Sequence, residues 1–315
     1  MFGWRAFVAC VLALSLTTLP GCGASGFGSL PSGSTAESSL RVMATTTILA
    51  DITQHVVGRR AKVDALIPLG LDPHEFEPSP ADVARVAGSR ILIVNGGGYE
   101  AYLDRLLTNA GGQRTVITAS SGLTSRTPRP DEFADSAPRE VDPHFWMDPT
   151  LVIKYVDNIR DGLSAADPAG AQEYAANAQA YSGQLKDLDS WIAAQVKSIS
   201  PDQRLLVTNH ESLGYYADRY GFRVVGTIIP SVTSEASPSA QQVARLVDRL
   251  KSTKAKAIFL EPGTNTQMAE QIASETGMKV VSSIYTESLS DPRGPAPTYV
   301  EMLRHDTQVI VEALR

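Results

Sequence analysis

The sequence predicts an α/β protein built in two halves. Three observations carry that expectation. From residue 41 onward, short β-rich runs alternate with amphipathic helical stretches; each half of the chain holds about four such runs; and a helical region of about thirty residues separates the halves. The 315 residues suffice for two compact lobes at the usual domain size of about 100–200.

In order, "RVMATTTILA" (41–50) reads as a strand running into a helix around 50–57, and "AKVDALIP" (61–68) as a second strand. A helix over 80–88 leads to "ILIVN" (91–95), the unbroken apolar run of a parallel strand buried on both faces. A helix over 99–109 and the strand "RTVITA" (114–119) follow, then a Pro-rich, charged loop at 127–143 and a helix from about 150. Asp167-Pro168 signals a new start, and strong helix formers continue to about 199, long enough to act as a rigid connector. Alternation then resumes with strands at 204–209, 222–228, 255–261 and 278–284 and helices at 213–220, 238–252, 266–276 and 298–314. The halves show no close sequence repeat, so any symmetry between them is architectural.

The start of the chain carries an address. "MFGWRAFVACVLALSLTTLPGC" has one early cation, Arg5, and an apolar run too short and interrupted to span a bilayer, the pattern of a secretory signal. Its end, Leu19-Pro20-Gly21-Cys22, resembles a bacterial lipobox, which makes Cys22 a lipidated first residue of the mature protein. Cys10 would be removed with the signal, and a lone Cys22 has no internal disulfide partner, which favours the anchor. Residues 23–39 are Gly- and Ser-rich, a flexible tether. The expected division is therefore signal 1–22, tether 23–39, first lobe 40–166, connecting helix 167–199 and second lobe 200–315. A net charge of −6 without a dense Lys/Arg block argues against nucleic acid as partner.

Five histidines occur, and two share one frame: Asp72-Pro73-His74 and Asp142-Pro143-His144. Proline fixes its own φ, so each imidazole is offered from a stiff turn that loses little entropy on binding. Asp72 and Asp142 are placed to accept from turn amides or from the imidazole N–H. His210 directly follows "RLLVTN", at the carboxyl end of a buried strand, where open parallel sheets build their sites. His55 and His305 fall inside amphipathic helices and read as partly exposed structural residues. Three imidazoles at loop and strand ends suit a first-row divalent metal. A fourth ligand belongs to the second half, with Glu211, Glu261 and Glu287 as candidates, and strand-end reasoning admits both Glu261 and Glu287.

These residues sit in blocks that resemble a known family. "GLDPHEFEPSPADV" (70–83), "ILIVNGGGYE" (91–100), "DPHFWMDP" (142–149), "TNHESLGYYADRYGF" (208–222), "IFLEP" (258–262) and "SSIYTESLS" (282–290), in this order, are similar to the zinc/manganese-binding lipoproteins that serve ABC-type metal importers as solute receptors. The resemblance covers essentially the whole body. It implies two α/β lobes, each a mostly parallel sheet flanked by helices, joined by one long rigid helix, with a single metal between them. It carries the ligand role to His74, His144, His210 and Glu287, and leaves Glu261 structural. Glu287 stands where the family commonly has Asp, one methylene shorter.

The resemblance also implies a monomeric receptor, anchored through Cys22 to the outer face of the cytoplasmic membrane and partnered by an importer permease. Three imidazoles and one carboxylate favour Zn2+; Mn2+, or iron, is the alternative, and the His-rich loop of many zinc receptors is absent here. A different class of function is a secreted zinc hydrolase with Glu75 or Glu211 as base. Against it, neither His-Glu pair lies in an H-E-x-x-H helix, and four protein ligands would close the water position. The expected mode of action is capture and delivery without catalysis, with little lobe closure, because a long helix resists bending.

Overall fold

The computed structural model describes residues 40–127, 129, 141–234 and 237–315. The leader with Cys22, the tether 23–39 and most of the 127–143 loop lie outside these residues. The first half of the body forms a four-stranded sheet from β1 (Val42–Ala44), β2 (Val63–Ala65), β3 (Ile91–Val94) and β4 (Thr115–Thr118), in the order β2-β1-β3-β4. The second half repeats that order as β6-β5-β7-β8, with β5 (Leu205–Thr208), β6 (Arg223–Thr227), β7 (Ala257–Leu260) and β8 (Lys279–Ser282). Every pairing is parallel. The symmetry expected without a sequence repeat is therefore present as topology.

Parallel strands need crossovers, and the helices supply them: α1 (Thr47–Val57), α2 (Pro80–Ala87), α3 (Leu103–Ala110), α4 (Pro149–Ala166), α5 (Ala171–Val196), α6 (Gly214–Tyr220), α7 (Ala240–Lys251), α8 (Gln267–Thr276) and α9 (Tyr299–Leu314). In the first sheet's helices, two starts differ clearly from the sequence reading. α1 begins three residues earlier, because the Thr46 hydroxyl accepts from the Leu49 amide at 3.2 Å and caps the turn. α3 begins later than residue 99. Gly96, Gly97 and Gly98 all take positive φ, and Glu100 turns back to accept from the Asn95 and Gly96 amides at 2.6 and 3.0 Å. The block "GGGYE" is thus a shaped loop at the carboxyl end of β3.

Strand alternation decides which core each residue joins. Val42, Ala44, Ile91 and Ile93 point into one large cluster, while Met43, Leu92 and Val94 pack with α2 and α3. In the second sheet Leu206, Ala257 and Phe259 join that same large cluster, and Leu205, Val207, Ile258 and Leu260 pack with α7 and α8. One face of each sheet therefore has its own helix pair. The other faces share a continuous core with α1, α4, α5, α6 and α9.

The long helix α5 is central to this shared core. A one-turn 3-10 segment, Pro168–Gly170, precedes its 26 residues, so the connector begins at Ala171 where the sequence suggested 167. Tyr174, Ala178, Tyr181, Leu185, Leu188, Ile192 and Val196 are buried, a stripe at three- and four-residue spacing. α5 packs on α1 and α4 of the first half and on α9 of the second. Leu188→Ala should therefore cost about 2–5 kcal/mol in a denaturant melt, whereas exposed Lys186→Ala should stay within about 0.5 kcal/mol.

Candidate metal centre

The two Asp-Pro-His turns use their aspartates as the sequence suggested. Asp72 Oδ1 accepts from the His74 backbone amide at 2.9 Å, and its other oxygen takes the Ser234 hydroxyl, from the loop after β6. Asp142 Oδ1 accepts both the His144 amide, at 3.0 Å, and ring Nδ1, at 2.9 Å. That ring bond orients His144 so that its Nε2 faces Glu287. A 3-10 turn, Phe145–Met147, then leads into α4, whose first turn Asp148 caps at the Thr150 amide, 2.8 Å. His210 lies two residues past the end of β5, and its carbonyl receives the Thr208 hydroxyl at 2.6 Å.

Glu287 lies five residues beyond β8, on a loop held by polar groups from three directions. Glu261, just past β7, accepts at one oxygen from the Thr286 amide, the Thr286 hydroxyl and the Glu287 amide, at 2.6, 2.8 and 2.7 Å. Asp306 of α9 accepts from the Tyr285 amide at 2.9 Å. From the first lobe, Trp146 donates its indole N–H to the Thr286 carbonyl at 2.7 Å. The choice left open between Glu261 and Glu287 resolves sterically here: Glu261 serves the backbone of the loop that presents Glu287.

The four side chains meet. Ligand-type atoms of His74, His144, His210 and Glu287 all lie within 4.8 Å of one another. Glu287 Oε1 is 3.1 Å from Nε2 of both His144 and His210, and Oε2 is 3.9 Å from His74 Nε2. Tetrahedral zinc with bonds of about 2.0–2.1 Å separates its donors by about 3.4 Å, so the 3.1 Å pairs are already close enough and the wider ones draw in around the ion. The Nε2 of His74 is buried and makes no hydrogen bond, and that of His144 has Glu287 Oε1 at 3.1 Å. Buried polar nitrogens without partners are costly in a finished fold and point to a ligand. His55 and His305 lie elsewhere: His55 stacks on Tyr181 at 4.2 Å, and His305 bonds the Ser283 carbonyl at 2.7 Å. Glu211 is outside the group as well.

Sequence reasoning missed Tyr99. It lies in the quoted "GGGYE" block, and its hydroxyl donates to Glu287 Oε2 at 2.6 Å from the opposite lobe. Its ring packs edge-on against His74 and Trp146, each with centroids 5.0 Å apart. Trp146 was equally legible as part of "DPHFW", but its role depends on a carbonyl 140 residues away.

Two edges of the cleft differ. On one, Tyr215 donates to the Asp142 carbonyl at 2.9 Å, and Arg126, 6% exposed, bonds Asp218 at 2.8 Å. On the other a cavity of about 990 Å³ opens beside Glu287, and Asp72, Glu75, Glu261 and Asp291 line it. Among the described residues no Lys or Arg lines this cavity. Its field favours cations.

The electrostatics separate the imidazoles. Burial pushes His74 down to about 4, outweighing the attraction of Glu287. Burial also opposes charge on His144, but Glu287 and the Asp142 hydrogen bond outweigh it and raise this ring to about 10. Burial would raise Glu287, yet the three imidazoles, His144 foremost, hold it well below the usual carboxylate range. Before metal enters, the cleft thus holds an ionised Glu287, a protonated His144 and a neutral His74. The unfolded chain binds a proton at His74 near pH 6.5 that the native chain binds only near 4, so stability is lost as pH falls through that window. In chelator-treated protein the denaturant midpoint should drop between pH 6.5 and 4, and His74→Gln should remove part of that acid limb.

The sequence profile described as "Zinc-uptake complex component A periplasmic" matches residues 42–313. Over 308 residues the chain is 32% identical to the manganese-binding lipoprotein MntA of Halalkalibacterium halodurans, covering 98% of this chain and 97% of that one. It is 29% identical over 272 residues to the iron-binding protein YfeA of Yersinia pestis, covering 86% and 85%. The periplasmic zinc-binding protein TroA of Treponema pallidum superposes with a TM-score of 0.77 at 25% identity, over 87% of this chain and 98% of TroA. The two like-ordered parallel sheets, the cluster between them and a profile spanning the whole described body together place this chain in the zinc-uptake complex component A family of periplasmic metal-binding proteins.

Proposed function

We propose that this chain is an extracytoplasmic receptor that captures one divalent transition metal at His74, His144, His210 and Glu287 and delivers it to an ABC importer. The observation that carries the reading is the convergence of three imidazole nitrogens and one carboxylate, with the buried His74 Nε2 left without a hydrogen bond. On this reading residues 1–22 are a signal, Cys22 is the lipid anchor at the outer face of the membrane, 23–39 is the tether and the body acts as a monomer. The lobes on this reading are 40–166 and 200–315 about the connector 167–199, and the presence of two separate sheets supports such a division.

Zinc is the cargo this donor set favours. Three nitrogens and one oxygen match a d10 ion content with tetrahedral coordination, whereas manganese gains more from additional oxygens. Relatives named for manganese, iron and zinc surround this chain, so the donor set, and not kinship, supports zinc. A hydrolase needs an open position for water, and four protein donors from two lobes leave the zinc closed. The acid-lined cavity beside Glu287 supports cation entry from that edge.

Release does not call for a wide hinge. The core shared by both sheets and α5 makes large relative rotation expensive, so motion is assigned to the loops that carry His210 and Glu287. Importer docking would act on those loops.

Protein purified from its own membrane under metal-limited growth should hold one zinc per chain by elemental analysis, and His210→Ala should lose it. Full retention in that variant would remove His210 from the site. Because His144 binds a proton up to about pH 10, zinc binding at pH 7.5 should release about one proton. Calorimetry in buffers of different ionisation enthalpy reads that number directly, and affinity should weaken as pH falls.

A further inference from the structure

We infer that the Tyr99 hydroxyl limits Glu287 to one metal-bound oxygen and so makes Tyr99 a specificity-determining residue that favours zinc over manganese. The inference rests on the ligand set proposed above. It starts from an asymmetry in the Glu287 carboxylate. Oε1 lies 3.1 Å from two imidazole nitrogens, in the middle of the donor cluster. Oε2 is turned to Tyr99 at 2.6 Å and lies 3.9 Å from the Nε2 of His74. A carboxylate that holds a metal through both oxygens places them at similar distances from it, which this orientation opposes.

The carboxylate is not free to swing. Glu261 clamps the Thr286 and Glu287 amides, and Trp146 clamps the Thr286 carbonyl. Tyr99 is equally fixed, 5% exposed and packed against Trp146 and His74. Burial, reinforced by the charge of Glu287, keeps its phenol well above the ordinary tyrosine range, so it stays a donor at every physiological pH. A hydrogen bond from a neutral donor to a carboxylate is among the stronger kinds. Glu287 has one methylene more than Asp and so has the reach to wrap around an ion. Tyr99 occupies the oxygen that wrapping would need. One oxygen and three nitrogens make a four-coordinate site, which zinc accepts readily and manganese, preferring six oxygen-rich positions, does not.

The test compares wild type with Tyr99→Phe, which keeps the ring and its packing. Tyr102→Phe is the control, since the Tyr102 hydroxyl is buried without a partner and outside the cluster. X-ray absorption on the zinc-loaded proteins reads coordination number, and chelator competition reads the dissociation constants for zinc and manganese. Wild type should show four nitrogen or oxygen neighbours. Tyr99→Phe should gain a further oxygen and shift the manganese-to-zinc affinity ratio about tenfold or more toward manganese, with Tyr102→Phe unchanged. A five-coordinate wild type with both Glu287 oxygens bound would overturn the inference without any variant. So would an unchanged ratio in Tyr99→Phe. Failure of the wild type to bind either metal would instead remove the ligand set on which the inference stands.

Discussion

A single carboxylate buried beneath three imidazoles is the constraint on which the rest of this structure depends. An ionised Glu287 in a closed interior would be untenable alone, by several kcal/mol. It is held by His144, His210 and the Tyr99 hydroxyl, and it in turn keeps a proton on His144 far above the ordinary histidine range. The metal-free cleft is therefore already charged, ordered and preorganised. A cation entering it replaces a proton and needs to create little new order. The cost of making the site has been met by folding.

That arrangement needs two lobes that cannot drift apart. The continuous core through α1, α4, α5 and α9 supplies the rigidity, and a row of polar contacts at the cleft refines it. Thr47 accepts from the Leu289 amide at 3.0 Å, Gly70 donates to Ser288 at 3.1 Å, and Asp51 accepts from the Tyr299 amide at 2.9 Å. These lie between residues more than 200 positions apart in the chain. Packing sets the lobe separation, and directional hydrogen bonds set the register of the ligand loops within it.

How much was legible in the chain follows from how local each signal is. Strands with alternating or continuous apolar runs, such as Ile91–Val94 and Ala257–Leu260, were readable because burial on both faces leaves a local pattern. The start of α1 was obscured because "TTT" has strand propensity, and a side-chain cap overrode it. The start of α3 was displaced by three positive-φ glycines and a buried Glu100 that the helix period does not register. His74 and His144 stood out because both repeat one rare frame, and His210 because it ends a strand. Glu261 and Glu287 were equivalent by strand-end reasoning, since each lies past a strand of the same sheet.

The sequence by itself determined the alternation of elements, the long helix, the stiff Asp-Pro-His turns and the identity of the three imidazoles. Each of these is encoded within a few residues, by side-chain period, proline geometry or position at a strand end. Only the tertiary structure decided which carboxylate faces the histidines, which one holds the loop instead, and that Tyr99 and Trp146 reach across to steady it. Those choices depend on distances between segments far apart in the chain. Such distances come from the shared core that sets the lobes against each other, and no local pattern records them.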